Sequence, residues 1–342
     1  MVRPTDISEF LASGLPVLDV RSPGEYAKGH VPGSTNMPLF TDEERAVVGT
    51  LYKQQGRDAA VLEGLRIVGP KLAGMVAQAR ERAPDGHVAV HCWRGGERSG
   101  SVAWLLDKSG FPEVITLRGG YKAFRRHVLG SFEMPLPLRV LGGYTGTGKT
   151  ELLGLLRDRG EQVVDLEALA SHKGSAFGAL GEAPQPTTEH FENRLWAAFS
   201  TLDKTREVWV EDESRHIGRV ALPDALFRQL REAPLLFVDR PIDVRADRLV
   251  KDYGTFDRKE LAAAVERIRK RLGPQHCKNA LEALEAGDLR AVALITLRYY
   301  DKSYAHGAAQ RNADRVFRIE AAGLTLEALV DELRSRRSIP SR

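Results

Sequence analysis

The sequence predicts an α/β protein built from two consecutive parallel-sheet domains. Three observations carry that expectation. Short β-branched runs alternate with helix-compatible stretches, the pattern of parallel sheets covered on both faces. Two prolines in Phe132-Glu133-Met134-Pro135-Leu136-Pro137 make a stiff connector. The 342 residues exceed what one hydrophobic core usually serves. The expected domains are therefore 1–133 and 138–342.

Composition narrows the class. Hydrophobic residues make up 42% and charged residues 28%, enough apolar material for two cores. The start, Met1-Val2-Arg3-Pro4-Thr5-Asp6, lacks the basic-then-apolar pattern of a leader, and no run approaches the ~18 apolar residues of a membrane span. The two cysteines, Cys92 and Cys277, stand far apart in unlike contexts, which argues against a disulfide framework and for a reducing, cytoplasmic setting without membrane contact. A net charge of +4 permits nucleic-acid binding without requiring it, so local basic patches carry more weight than the total.

In the first half, Val17-Leu18-Asp19-Val20 reads as a buried strand, and residues 29–38 as a loop rich in glycine and proline. Residues 62–79 space Leu65, Val68, Leu72 and Val76 as one helix face. Residues 88–91 then form a strand that presents Cys92, followed by a helix and the strand Val114-Ile115-Thr116-Leu117. Cys92 thus sits at the carboxyl end of a strand, where such sheets bind ligands.

Cys92 begins the loop Cys92-Trp93-Arg94-Gly95-Gly96-Glu97-Arg98-Ser99. The glycines let consecutive backbone N–H groups turn toward one point, and a helix N-terminus adds positive potential there. Beside Arg94 and Arg98, a cysteine so held has a lowered pKa and is a nucleophile for sulfur, selenium or phosphorus chemistry. The plainer alternative is a small buried residue at a strand end.

Asp19-Val20-Arg21-Ser22-Pro23-Gly24-Glu25-Tyr26, then Gly29-His30-Val31-Pro32-Gly33-Ser34-Thr35-Asn36-Met37-Pro38, resembles the opening signature of rhodanese domains. Leu117-Arg118-Gly119-Gly120-Tyr121 resembles the closing one, and Cys92 falls at the sulfur-carrying position of that family. The His-Cys-x5-Arg spacing of His91, Cys92 and Arg98 also describes cysteine-dependent phosphatases. Both chemistries need a thiolate facing a cradled anion, so the loop alone leaves phosphatase and chalcogen transferase open. A phosphatase also needs an acid for its leaving group, and Glu97 lies inside the loop.

In the second half, the strand Leu138-Arg139-Val140-Leu141 runs into Gly142-Gly143-Tyr144-Thr145-Gly146-Thr147-Gly148-Lys149-Thr150 and a leucine-rich helix. Residues 143–150 fit the phosphate-binding loop G-x-x-x-x-G-K-[ST] in the strand–loop–helix context it requires. Gly143, Gly146 and Gly148 let N–H groups wrap a diphosphate or triphosphate, with Lys149 as a point charge and the Thr150 hydroxyl available to a metal such as Mg2+. Val208-Trp209-Val210-Glu211-Asp212-Glu213 ends a strand in carboxylates, and Asp212 or Glu211 is the candidate to meet the metal or its water. Arg245 and Arg248 are either phosphate-facing or part of a surface helix. Residues 257–285 read as one helix with Leu261, Val265, Ile268 and Leu272 on a buried face. Arg267, Lys270 and Arg271 lie opposite, as an RNA contact or a solvated face. Cys277 reads as structural, and the basic stretch from Arg334 to Arg342 as a frayed end.

The order of a rhodanese-like domain before a P-loop NTPase-like α/β domain with a helical C-terminal part is similar to the family of bacterial tRNA 2-selenouridine synthases. Asp165-Leu166-Glu167, His172-Lys173-Gly174-Ser175-Ala176-Phe177-Gly178, Glu211-Asp212-Glu213-Ser214-Arg215 and Arg298-Tyr299-Tyr300 also resemble segments of that family. The resemblance implies a transferase acting on the wobble uridine of tRNA. Geranyl diphosphate would alkylate the C2 sulfur, and selenophosphate would then replace that sulfur with selenium. It implies Cys92 with Arg94 and Arg98 as the selenium site, the 143–150 loop as the diphosphate site, and tRNA and a selenophosphate-producing enzyme as partners. ATP is an open alternative for the loop. Phe177, Leu180 and Trp196 are candidates for the geranyl pocket or ordinary core. Two rival readings are a rhodanese-fold phosphatase or sulfurtransferase fused to a P-loop kinase or ATPase, and a non-catalytic RNA-binding scaffold.

Overall fold

A computed structural model describes residues 1–336, so the basic end expected through Arg342 lies outside the described residues beyond Arg336. The chain divides into two compact units. One comprises Met1–Ser131 with Glu189–Ala197; the other comprises Phe132–Thr188 and the chain from Ala198 onward.

The first unit holds a five-stranded parallel sheet of β1 (Val2–Thr5), β2 (Val17–Asp19), β3 (Thr35–Asn36), β4 (His87–His91) and β5 (Glu113–Leu117), in the order β1-β5-β4-β2-β3. β4 is central and buried from Val88 to His91, which explains its unbroken apolar run. Leu18, Val88, Val90, Val102, Leu106 and Val114 form the core beneath it.

The edge strand β1 carries Pro4, which removes a ladder donor and hides the strand from a periodicity search. Helix Asp42–Gln55 has no buried residue, hence no apolar stripe to read. The single helix expected over 62–79 is two, Arg57–Val68 and Leu72–Arg82, interrupted by a 3-10 turn at Gly69–Lys71 that contains Pro70. The break turns Leu65 and Leu72 outward, while Val68 is buried.

The second unit holds β6 (Leu138–Gly143), β7 (Gln162–Val164), β8 (Val208–Glu211), the hairpin strands β9 (His216–Ile217) and β10 (Val220–Ala221), β11 (Leu235–Asp239) and β12 (Val316–Glu320). Its parallel sheet runs β12-β11-β6-β8-β7, with β6 central and buried throughout. Leu141, Leu152, Leu156, Trp209, Leu236 and Ile319 fill its core.

The helix expected over 257–285 is three pieces, Arg258–Arg267, Arg269–Leu272 and Pro274–Glu285. Gly273, at φ +96°, and Pro274 end one and start the next. Leu261, Val265, Ile268 and Leu272 still bury together, with Cys277 among them. Burial raises the Cys277 thiol pKa, as suits a packing residue. No helix among the described residues is long and apolar enough to cross a membrane.

Candidate functional site

The first unit builds its site at the end of β4. Cys92 is 3% exposed, and residues 93–96 loop back over it into helix Glu97–Lys108. Burial pushes the Cys92 pKa up. Hydrogen bonds from the Ser99 hydroxyl and from the backbone N–H groups of Ser99, Arg94 and Gly96 outweigh it, so the thiol titrates below its usual range. Ser99 Oγ lies 3.2 Å from the Cys92 sulfur and 3.2 Å from the Gly96 carbonyl oxygen. Its single proton can serve only one of them, and ionisation of Cys92 turns it toward sulfur.

The glycines of the closing motif hold this loop. A Cβ on Gly120, at φ +55°, would stand 2.3 Å from the Cys92 carbonyl oxygen and 2.4 Å from the Gly95 nitrogen. The space lets Tyr121 N–H donate to the Cys92 carbonyl at 2.8 Å and Lys122 N–H to that of Trp93 at 3.0 Å. Beneath, Arg21 lies fully buried on the Tyr121 ring, 3.7 Å from its centroid. Arg21 also donates to Asp19 and to the Gly29 carbonyl. The opening motif is thus the buried footing of Tyr121, which in turn holds the Cys92 backbone. Asn193, fully buried, donates to the Tyr121 hydroxyl at 2.8 Å, which explains why residues 189–197 belong to this unit.

Two expected neighbours of Cys92 are turned elsewhere. Arg98 is committed to Glu25, at 2.7 Å through Nη1, and Glu25 is also met by Arg45 at 3.0 Å. Glu97 is exposed and pairs with Arg57 at 2.7 Å. The expectation that Arg98 neutralises an anion beside Cys92 is therefore corrected, because a carboxylate already holds its guanidinium. Arg94 is exposed and makes no ion pair among the described residues, leaving it available to an incoming anion.

Cys92 alkylation by iodoacetamide should follow a pH titration with its midpoint below the ~8.5 of a free thiol. The hydrogen bonds favour the thiolate, so removing one must raise the midpoint; Ser99→Ala is expected to shift it upward. The unperturbed midpoint in the wild type would contradict the assignment. Buried Cys277 stays unreactive in the same assay.

The second unit places residues 143–150 between β6 and helix Lys149–Asp158. Gly146 and Gly148 take φ +82° and +88°, conformations that L side chains resist. Arg245, 3% exposed, does not face the loop's cavity as a phosphate ligand. Its guanidinium donates to the Thr145 carbonyl at 3.2 Å and to Asp301 through two bonds of 2.8 Å, fixing the loop from outside. Arg248 pairs with Glu151 at 2.8 Å.

Lys149 donates to the Gly143 carbonyl at 3.3 Å. Burial pushes its pKa down, but Tyr304, Glu167, Glu211 and Glu213 around it raise it further, so the ammonium persists. Those three glutamates have ligand oxygens all within 4.8 Å of one another. Thr150 Oγ1 stands 3.4 Å from both Glu167 and Glu211. Burial first, then mutual repulsion, raises the carboxylate pKa values, well above the usual range for Glu211 and Glu213. Glu211 Oε2 and Glu213 Oε1 are buried and find no hydrogen-bond partner. Three carboxylates and a hydroxyl, two of their oxygens orphaned, fit a hard divalent cation such as Mg2+.

Asp212 does not join them. Successive strand residues point to opposite faces, so Glu211 and Glu213 share one side and Asp212 takes the other, paired with Arg311 and, at 3.7 Å, with Arg231. Of the two metal candidates, Glu211 is the one in the carboxylate cluster, and the expectation for Asp212 is corrected. Glu167 and Glu213 stand in the family-like segments but are not among the metal candidates read from sequence, although the i, i+2 spacing of Glu211 and Glu213 is the signal that finds the latter.

Phe177 lines a small apolar cavity beside Thr145, together with Val250, Tyr253, Leu261 and Val292. Leu180 is buried in the adjoining helical core. Trp196 is unrelated to that cavity: it packs edge-on against Phe124, at 5.1 Å, in the first unit. Arg267, Lys270 and Arg271 line a separate groove of about 1440 Å³ that reaches Glu213 and Tyr304.

Comparison with known proteins accords with this layout. The family described as tRNA 2-selenouridine synthase AAA domain matches residues 136–331, and the rhodanese-like domain family matches residues 4–127. The tRNA 2-selenouridine synthase of Shewanella loihica is 36% identical, covering 92% of this chain and 93% of its own. That of Sulfurovum is also 36% identical, covering 96% and 98%. That of Bdellovibrio bacteriovorus reaches 41% over 74% of this chain and 68% of its own.

Proposed function

From the premise that the chain belongs to the tRNA 2-selenouridine synthase family, we propose that its two sites act in turn on one tRNA wobble uridine already thiolated at C2. The second unit transfers a geranyl group to that sulfur, and the first exchanges the alkylated sulfur for selenium. The observation that carries this reading is the pairing, in one chain, of a nested Cys92 thiol with an intact 143–150 loop.

In the first step the carbon–oxygen bond of geranyl diphosphate breaks and a carbon–sulfur bond forms, with loss of the N3 proton. The N–H groups of residues 143–150 and the Lys149 ammonium hold the departing diphosphate. Mg2+, held by Glu167, Glu211, Glu213 and Thr150, would neutralise further diphosphate charge. The cavity beside Thr145, lined by Phe177 and Val292, adjoins the loop and, at about 50 Å³, offers an apolar lining to the first part of the tail.

In the second step the selenium–phosphorus bond of selenophosphate breaks, selenium bonds C2, and the geranylated sulfur leaves. Alkylation is what makes that sulfur able to depart. Cys92 acts as the nucleophile that delivers selenium: its thiolate takes the phosphoryl group of selenophosphate and releases selenide, which bonds C2 as geranyl thiol departs, and water then frees phosphate from the cysteine sulfur. Arg94 and the N–H groups of residues 94–99 offset the charge of the anion. Arg267, Lys270 and Arg271 contact the tRNA backbone, and an enzyme that makes selenophosphate is the upstream partner. The phosphatase alternative is disfavoured because Glu97 and Arg98 are both engaged away from Cys92.

The test is to incubate the protein with thiolated tRNA, geranyl diphosphate and selenophosphate, then digest the tRNA and weigh its nucleosides. S-geranyl-2-thiouridine and 2-selenouridine are expected. The absence of both sinks the proposal.

A further inference from the structure

We propose that the groove of the second unit receives an extruded, single-stranded RNA nucleotide, stacked on Tyr299 and flanked by phosphate contacts to Arg219 and Lys270. This rests on the tRNA reading above and assigns the place where the substrate nucleotide enters.

The cationic lining comes from distant parts of the sequence. One is the β9–β10 hairpin, whose two-residue turn is Gly218-Arg219. Gly218, at φ +60°, leaves room for the Gln185 side chain, since a Cβ there would stand 2.2 Å from Gln185 Oε1. That oxygen accepts from Arg219 N–H at 2.8 Å, while Gln185 Nε2 donates to the Ile217 and Ala170 carbonyls at 2.9 and 3.0 Å. The turn that presents Arg219 is therefore braced. Arg267, Lys270 and Arg271, from the helices after Asp257, line the same groove.

Charges in this lining are uncompensated. Arg219, Arg267 and Lys270 are exposed and form no ion pair among the described residues, whereas Arg215 and Arg231 within the same groove are paired with Asp224 and Asp212. Free cations along one groove suit a polyanion that passes through it. Tyr299 lines the same groove, its hydroxyl bonded to Arg271 and its ring 5.0 Å from that of Tyr300. A half-buried aromatic flanked by free cations is the arrangement that holds an unstacked base. At about 1440 Å³ the groove holds more than one nucleotide, which favours an RNA strand over a free nucleotide.

The floor fixes the direction. Glu213 and Tyr304 line the groove and also surround Lys149 of the phosphate loop. A base that reaches the floor arrives beside the group the loop holds, as alkylation of that base requires.

The experiment is fluorescence anisotropy of the full chain with an anticodon stem-loop bearing a 2-thiouridine at the wobble position, and with the same stem-loop abasic there. Tyr299→Ala is expected to weaken binding about tenfold on the first and to have no effect on the second, and Tyr299→Phe to restore it. Arg219→Ala and Lys270→Ala should weaken both stem-loops alike and lower the salt slope by about 0.7 each. Arg219→Lys retains most of that slope. If all variants bind like the wild type while the wild type still converts tRNA, the groove assignment fails and the two-site reading stands. If Tyr299→Ala weakens both stem-loops equally, stacking on the wobble base is excluded. A wild type that neither binds nor converts tRNA overturns both.

Discussion

Lys149→Ala is expected to lower geranyl transfer by about two to three orders of magnitude while leaving selenium exchange on pre-geranylated tRNA within about twofold of the wild type. In the proposed reaction the ammonium it removes faces the diphosphate, and Arg248, the guanidinium closest to Gly148, is already paired with Glu151. Tyr304, Glu167, Glu211 and Glu213 surround Lys149, and three of those four are carboxyl groups.

Fold loss is separable from this effect by thermal melting at two pH values. The three glutamates have raised pKa values, so the folded state holds their protons more tightly than the unfolded one. Stability from this cluster is therefore present at low pH and declines as pH rises. Without Lys149 the repulsion grows, so the melting deficit of the variant should be larger at pH 8 than at pH 6. Activity loss at pH 6 with melting close to the wild type identifies a binding role. Equal loss of geranylation and selenation would mean instead that Lys149 serves the fold.

Cys92→Ser is expected to abolish selenium incorporation, by three orders of magnitude or more, while S-geranylated tRNA accumulates. A serine hydroxyl accepts the same N–H groups from Arg94, Gly96 and Ser99, so the loop keeps its shape. It does not ionise near neutral pH, so the nucleophile is lost while the cradle remains. Selenation that survives in Cys92→Ser would move the chemistry to another group.

The Cys92 loop and the 143–150 loop were legible in the sequence because each is local. Gly95, Gly96 and Arg94 surround Cys92 within a few residues, and Gly143, Gly146, Gly148, Lys149 and Thr150 sit on one turn between a strand and a helix. What escaped was set by partners distant in the chain. Arg98 looks like an anion ligand until Glu25, 73 residues away, takes its guanidinium. Asp212 and Glu211 are equivalent in sequence, and the ion pairs of Asp212 with Arg311 and Arg231 on the far side of the strand tell them apart. Glu167 enters the carboxylate cluster from the helix after β7, which no spacing rule connects to β8. Trp196 carries no mark of belonging to the first unit, where Phe124 meets it. The break at Gly273-Pro274 is different, since the breaker pair is visible and only the regular spacing of Leu261, Val265, Ile268 and Leu272 masks it.

The division of labour between the two units is tested most directly by passing one tRNA between two variants. Thiolated tRNA is first treated with Cys92→Ser and geranyl diphosphate, repurified, and then given to Lys149→Ala with selenophosphate. Nucleoside mass spectrometry should show S-geranyl-2-thiouridine after the first incubation and 2-selenouridine after the second. Neither variant alone, supplied with thiolated tRNA and both donors, should make 2-selenouridine. Failure of Lys149→Ala to convert the geranylated tRNA, or formation of 2-selenouridine by Cys92→Ser alone, would contradict the account.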